Sequence, residues 1–194
     1  RVPYPIVALV GYTNAGKSSL FNRLADANVF EKDLLFATLD PTMREVKLPS
    51  GRFVILADTV GFVSDLPTTL IAAFRATLDE VISADVIIHV RDVAHPDTAA
   101  QKSDVIQVMS ELGLEFDDDT AFIELFNKID LLSEEELTAT MNIVSRNDKV
   151  VATSALTGSN LAGLLEKLDK LLSVDRRATK LSVPHKDGAA LSWL

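Results

Sequence analysis

Eight residues, Gly11-Tyr12-Thr13-Asn14-Ala15-Gly16-Lys17-Ser18, constrain this chain more than any other stretch. They follow an apolar run, Ile6-Val7-Ala8-Leu9-Val10, and precede a helical pattern that sets Leu20, Phe21 and Leu24 on one side. Strand, glycine-bounded loop and helix are the context in which a G-x-x-x-x-G-K-S string binds phosphate. Successive backbone N–H groups make an anion nest, and the positive end of the following helix adds to it. Gly11 and Gly16 allow close backbone approach or the φ that the turn requires. Lys17 brings a charge to the β- and γ-phosphates, and the Ser18 hydroxyl can ligate Mg²⁺. Ser19 extends the contact set into the first helical turn.

Composition narrows the classes. With 194 residues, 47% apolar and 24% charged, the chain can bury one sizeable core. No apolar stretch reaches the roughly 18–20 residues that span a bilayer, so stable membrane insertion is not expected. The formal charge of −9 argues against a nucleic-acid clamp, and DNA is not an expected partner. Cysteine is absent, which excludes disulfides and thiolate metal sites and fits a reducing cytoplasm. The sequence opens almost on its first strand and stops in mid-pattern at Ser192-Trp193-Leu194, so it reads as a piece of something longer.

Strand and helix patterns alternate, which predicts an α/β fold with about six strands, a mostly parallel sheet and helices on both faces. A helix is expected over residues 18–27. Residues 29–42 have no clean period and read as a long loop, which in a compact domain is usually functional. Residues 44–48 and 53–57 flank Pro49-Ser50-Gly51 and predict a hairpin, with an antiparallel second strand at the sheet edge. Residues 58–66 are irregular again. Leu70, Phe74, Leu78 and Val81 have helical spacing, residues 86–90 suit a buried strand, and Pro96-Asp97 open a helix carrying Val105, Met109 and Leu112. An acidic turn, Asp117-Asp118-Asp119, leads to a strand over 121–126. Ser133-Glu134-Glu135-Glu136 reads as a capping box before Leu137, Met141 and Val144. A short strand over 150–152 precedes an unbroken apolar stripe, Leu161, Leu164, Leu165, Leu168, Leu171 and Leu172, that should pack on the sheet. The nucleotide-binding unit is therefore placed at residues 1–173, with 174–194 a linker or the start of a further segment.

Two more strings carry chemistry. Asp58-Thr59-Val60-Gly61 ends an apolar strand; its Asp can hold Mg²⁺ directly or through water, and the Gly61 N–H can sense a γ-phosphate. A glycine there also lets the loop pivot when that phosphate leaves. Asn127-Lys128-Ile129-Asp130 decides between bases. A carboxylate accepts two hydrogen bonds in one plane, and guanine offers N1–H and N2–H₂ side by side where adenine offers no such pair. Asp130 can select guanine, the Lys128 stem can lie over the purine, and Asn127 can tie this loop to the phosphate loop. Thr153-Ser154-Ala155 are small residues whose N–H groups could reach guanine O6.

Taken in order, these strings resemble a P-loop GTPase of the translation-factor-related class with a Ras-like G domain. They are most similar to the HflX family of ribosome-associated GTPases. The carrying strings are the phosphate loop, Phe36-Ala37-Thr38-Leu39-Asp40-Pro41-Thr42 and Ala57-Asp58-Thr59-Val60-Gly61-Phe62. The resemblance implies that residues 29–42 and 58–66 are the two nucleotide-sensing switches, with Phe36, Ala37, Thr38, Leu39 and Asp40 at the nucleotide. It implies that Thr38 is a Mg²⁺ ligand, where the residues alone leave Thr38 and Thr42 open. Lys17, Thr38 and Gly61 then form the catalytic set, and Ser18, Thr38 and Asp58 the metal set. It further implies an N-terminal domain that this sequence does not contain, and binding to the large ribosomal subunit made mainly through that domain. Asn14 is similar to the loop asparagine of potassium-activated GTPases, which implies a K⁺ beside the phosphates.

Ras-like enzymes carry a Gln after Asp-x-x-Gly to orient water; this chain has Phe62, which predicts slow intrinsic hydrolysis and a partner or cation that places the water. Two readings follow: an enzyme that hydrolyses GTP as a switch, or a GTP/GDP-binding module that scarcely hydrolyses alone. An ATP-dependent kinase is disfavoured by Asp130. His89 reads as a core residue, and Arg75 and Arg91 as packing or surface charges rather than arginine fingers.

Overall fold

In the first strand every residue is apolar, which demands cover on both faces. The computed structural model of the chain describes residues 4–26, 43–59, 81–111, 113–114 and 121–173. Its six strands are β1 (Ile6–Val10), β2 (Met43–Lys47), β3 (Phe53–Asp58), β4 (Val86–Asp92), β5 (Phe122–Asn127) and β6 (Val150–Ala152). They form one sheet in the order β2-β3-β1-β4-β5-β6. β2 pairs antiparallel with β3, and all other neighbours are parallel. The helices are α1 (Lys17–Asp26), α2 (Thr98–Glu111), α3 (Glu134–Arg146) and α4 (Leu161–Ser173), with a 3₁₀ turn at Ile129–Leu131. The α/β class, the mixed sheet and the antiparallel edge read from the sequence are all present.

The strand period sorts the core into two layers. Val7 and Leu9 point to one face and join Leu20, Phe21 and Leu24 of α1 and Leu164 and Leu168 of α4. Ala8 and Val10 point to the other and join Val105 and Met109 of α2. Phe126, Val150 and Ala152 pack with Val144 of α3 on a third cluster. The leucine stripe of α4 does pack on the sheet, as its periodicity requires. Ser133 accepts from the Glu136 N–H while the Glu136 carboxylate accepts from the Ser133 N–H, so the capping box is formed.

Element ends differ from the sequence pattern in ways that have causes. α1 begins at Lys17, one residue before the expected start. β4 runs past Val90 because Arg91 and Asp92 still pair with Phe126 and Asn127. Their charges are tolerated since the Arg91 guanidinium donates to Glu124 and lies over the Phe126 ring, 5.2 Å from its centroid. This is the packing role expected of Arg91. α2 opens at Thr98, after a turn holding Pro96 and Asp97. His89 is a core residue, its ring tilted against Phe122 at 6.2 Å and kept neutral by burial, which pushes its pKa down to about 3. The expected helix over Leu70, Phe74 and Leu78, the acidic turn at Asp117-Asp118-Asp119 and residues 174–194 lie outside the described residues.

The β2–β3 hairpin is clasped at its tip by α4. Asp169 accepts the Ser50 N–H at 2.7 Å and the Ser50 hydroxyl at 2.8 Å, and Arg52 donates to the Leu172 carbonyl at 2.6 Å. Asp169→Ala removes two charge-assisted hydrogen bonds from a side chain that is almost fully buried. The expected loss is about 1–3 kcal/mol of stability, read by urea unfolding with an unchanged m value. An unchanged midpoint would show that the clasp carries no stability.

Candidate nucleotide-binding site

The chain passes from β1 to its neighbour β3 on one side and then to β4 on the other, so β1 is where the strand order reverses. In open α/β sheets ligands bind outside the carboxyl ends of the strands at such a point. The loop 11–16 leaves β1 there. Gly11 has φ +152°, and a Cβ on it would sit 2.2 Å from the Val90 carbonyl oxygen of β4. Gly16 has φ +97°, and its Cβ would sit 2.3 Å from the Asn127 side-chain nitrogen. Both glycines are thus required by neighbouring strands of the protein as well as by the turn. Asn14 takes a left-handed conformation, φ 61°, as Asn readily does.

Lys17 is the first residue of α1 and is 6% exposed. Its ammonium donates to the carbonyls of Gly11 at 3.0 Å and Tyr12 at 2.9 Å, which holds it against the loop. Burial lowers its pKa from 10.5 to about 8, partly offset by the charge of Asp58. Asp58 ends β3 opposite Leu9 of β1. Thr59 follows, and its hydroxyl donates to the Leu9 carbonyl at 2.6 Å, fixing the strand end beside the phosphate loop.

The residues fit a hard divalent cation. One carboxylate oxygen of Asp58 is buried with no hydrogen-bond partner, while Ser18 is exposed in the first turn of α1. A carboxylate and a hydroxyl suit Mg²⁺, which is held through one or two side chains plus substrate phosphates. Among the described residues no group of three or more His, Cys, Asp or Glu could hold a metal alone.

Asn127, 1% exposed at the end of β5, joins the 127–130 loop to the loop 11–16. Its amide nitrogen donates to the Ala15 carbonyl at 2.8 Å, and its oxygen accepts the Ala155 N–H at 2.9 Å. The tie expected from the sequence is present, and it reaches a third loop besides. Lys128 is left-handed, φ 67°, and its ammonium bonds Asp92 at 2.7 Å. Asp130 is exposed in the 3₁₀ turn, its carboxylate free of partners among the described residues. The Ile129 N–H reaches the Thr153 carbonyl at 3.3 Å, which sets the two base-side loops side by side.

The amides of Thr153, Ser154 and Ala155 are all engaged within the protein, by Phe126, Ser159 and Asn127 respectively. The Leu156 N–H, one residue on, has no partner among the described residues. Asp92, which anchors Lys128, was not singled out by sequence reasoning; a polar residue ending a buried strand was the available signal. No signal in the sequence marks Arg23, which reaches the loop after β6 from α1. Phe36, Ala37, Thr38, Leu39, Asp40, Val60 and Gly61 lie outside the described residues, as do Phe62 and Arg75.

A family model described as 50S ribosome-binding GTPase matches residues 6–128. The chain is 42% identical over 193 residues to GTPase HflX of Magnetococcus marinus, covering 100% of this chain and 43% of that protein. It is 40% identical over 197 residues to putative GTP-binding protein 6 of Xenopus laevis, covering 100% of this chain and 36% of that one. The chain therefore spans about two-fifths of the length of these relatives. Among solved structures it is similar to a GTP-binding protein of Sulfolobus solfataricus in complex with GDP, with TM-score 0.67 and 26% identity over 87% of this chain and 52% of that chain.

Lys17 supplies a proton-linked test. The folded chain binds this proton less tightly than the unfolded one, so the cost of charging it is complete below about pH 8 and stability rises from there towards 10.5. An anionic phosphate shell reverses the shift. Binding a nucleoside diphosphate above about pH 8 should then take up protons, and Lys17→Ala should abolish the uptake. Calorimetry in buffers of different ionisation enthalpy measures it; enthalpies independent of buffer would rule it out.

Proposed function

Since the chain belongs to the 50S ribosome-binding GTPase family as a G domain of the HflX type, we propose that it binds guanine nucleotides at these loops and hydrolyses GTP to GDP and phosphate. We further propose that the exchange of one nucleotide for the other acts as a switch on the large ribosomal subunit, in the cytoplasm. The observation that carries the reading is Asn127. One buried amide makes the phosphate loop, the Asn127–Asp130 loop and the loop after β6 a single unit, which is what joint recognition of phosphate and base needs.

The residues divide the work. Amides of the phosphate loop and the Lys17 ammonium hold the β/γ-phosphates and stabilise charge that shifts between them in phosphoryl transfer. Asp130 accepts from guanine N1–H and N2–H₂, and Lys128, anchored on Asp92, keeps its stem along the base face. Ser18 and Asp58 would hold Mg²⁺, with Thr38 by the family pattern. The ion, when bound, neutralises phosphate charge. Gly61 is assigned to the γ-phosphate by the same pattern. Residues 1–173 are proposed as the G domain. The acidic surface suits a ribosome contact made by other parts of the full-length relatives.

Two measurements test this. Asp130→Asn should weaken GDP binding at least tenfold and improve binding of the xanthine nucleotide, since the amide donates where xanthine accepts. Unmoved GDP affinity would remove the base-reading assignment. The second compares GTP turnover by the chain alone and with 50S subunits, in KCl and in NaCl. Phe62 at the position of the water-orienting Gln predicts slow turnover alone and stimulation by the subunit. It also favours the alternative of a binding module with negligible hydrolysis unless a partner stimulates it, which the same assay identifies by a lack of turnover in the arms without 50S subunits. Equal rates in the two salts would exclude a K⁺ held by Asn14.

A further inference from the structure

The loop after β6 is held from two sides. Asn127 takes the Ala155 N–H, and from the opposite side Arg23 of α1 donates to the Ala155 carbonyl at 3.1 Å and to the Leu156 carbonyl. The loop itself is a turn in which the Gly158 N–H returns to the Ser154 carbonyl at 2.9 Å and the Thr157 N–H to the Ser154 hydroxyl at 3.1 Å. Gly158, φ +84°, faces the Arg23 guanidinium; a Cβ there would stand 3.6 Å from its central carbon. α1 is the helix that the phosphate loop opens into, so one helix carries Lys17 at its start and grips the base-side loop with Arg23 in its last turn.

The peptide bond turns this grip into a direction. In a trans peptide the carbonyl of one residue and the N–H of the next point to opposite sides of the same plane. With the Ala155 carbonyl drawn to Arg23, the Leu156 N–H is turned away from α1. Of the four amides from Thr153 to Leu156, it alone has no partner among the described residues, and Leu156 is 75% exposed. A planar, doubly donating guanidinium is suited to fixing two successive carbonyls at once.

Resting on the guanine reading above, we propose that Arg23 is a positioning residue for base recognition. By holding the 155–156 peptide plane it presents the Leu156 N–H as the donor that reads the oxygen at position six of guanine. Asp130 reads different groups of the base, N1–H and N2–H₂, so the two contacts are separable.

Dissociation constants for GDP, 6-thio-GDP and IDP on the wild-type chain and on Arg23→Ala separate them. Sulfur is a weak acceptor, so 6-thio-GDP reports on the position-six contact; IDP lacks the 2-amino group and reports on Asp130. The wild type should bind GDP about tenfold more tightly than 6-thio-GDP, the weight of one hydrogen bond, and Arg23→Ala should narrow that ratio to within about twofold. The GDP-to-IDP ratio should stay where it is. A purely structural role would weaken all three ligands by the same factor and leave both ratios intact, which would overturn the proposal. Arg23→Gln, able to reach one carbonyl, should fall between and serves if the alanine variant does not fold. Wild-type binding of ADP on equal terms with GDP would overturn the guanine reading itself, and it would be visible before any variant is made.

Discussion

One buried carboxamide holds the site together. Asn127 uses both ends of its side chain, donating to Ala15 and accepting from Ala155, and these two partners fix the orientation of the amide. A carboxylate of the same shape could not donate, and an apolar side chain would strand a carbonyl and an N–H in the interior at about 1–3 kcal/mol each. The bridge also dictates its surroundings. Gly16 has no side chain because Asn127 occupies the space where a Cβ would go. The glycine and the asparagine, 111 positions apart in the chain, are one constraint read at two places.

Strand order makes that constraint possible. β4 lies between β1 and β5, and its Val90 carbonyl stands where a Cβ on Gly11 would be. β5, one strand further, delivers Asn127. Each glycine of the phosphate loop therefore records a different neighbour, β4 for the first and β5 for the second. On the other side of β1, the β3 strand end brings Asp58 beside Lys17, and the Thr59 hydroxyl pins it to the Leu9 carbonyl. The residues proposed for phosphate, metal and base come from the ends of β1, β3 and β5 and the start of α1, all at the carboxyl ends of the parallel strands.

Much of this was legible. Continuous apolar runs gave β1 and β4, Pro49-Ser50-Gly51 gave the hairpin, and Leu164 and Leu168 marked the buried stripe of α4, because burial on one or two faces leaves a period in the sequence. The phosphate loop and the Asn127–Asp130 string stood out, because anion nests and planar donor pairs need fixed residue types at fixed spacing, and the structure brings the two strings together through Asn127. What was not legible depended on partners distant in sequence and on groups every residue has. Arg23 acts on carbonyls 132 and 133 positions away. The engagement of the Ala155 amide by Asn127 moved the free donor to Leu156, and no side-chain identity signals that. Asp92 and Arg91 extend β4 only because β5 offers them pairing partners and charges.

The least periodic helix shows the same limit from the other direction. α2 buries only Val105 and Met109, a narrow apolar face for 14 residues. Its place is fixed in addition by charge. Glu124, inside β5 and 8% exposed, accepts from Lys102 of α2 at 2.9 Å and from Arg91 of β4, while Arg91 also reaches the Thr98 carbonyl and hydroxyl at 3.2 Å each. Burial alone would raise the Glu124 pKa; hydrogen bonds from Lys102 and Arg91 outweigh it, and the carboxyl stays ionised. Such a buried network adds little net stability, but removing one partner leaves an uncompensated charge, so it specifies where the helix sits. Arg91, Thr98 and Lys102 of this network also line a small hollow with Tyr12, His89 and Gln101. The place of α2 is thus set by an ion network in a strand that reads as apolar, and hydrophobic periodicity carries no record of it.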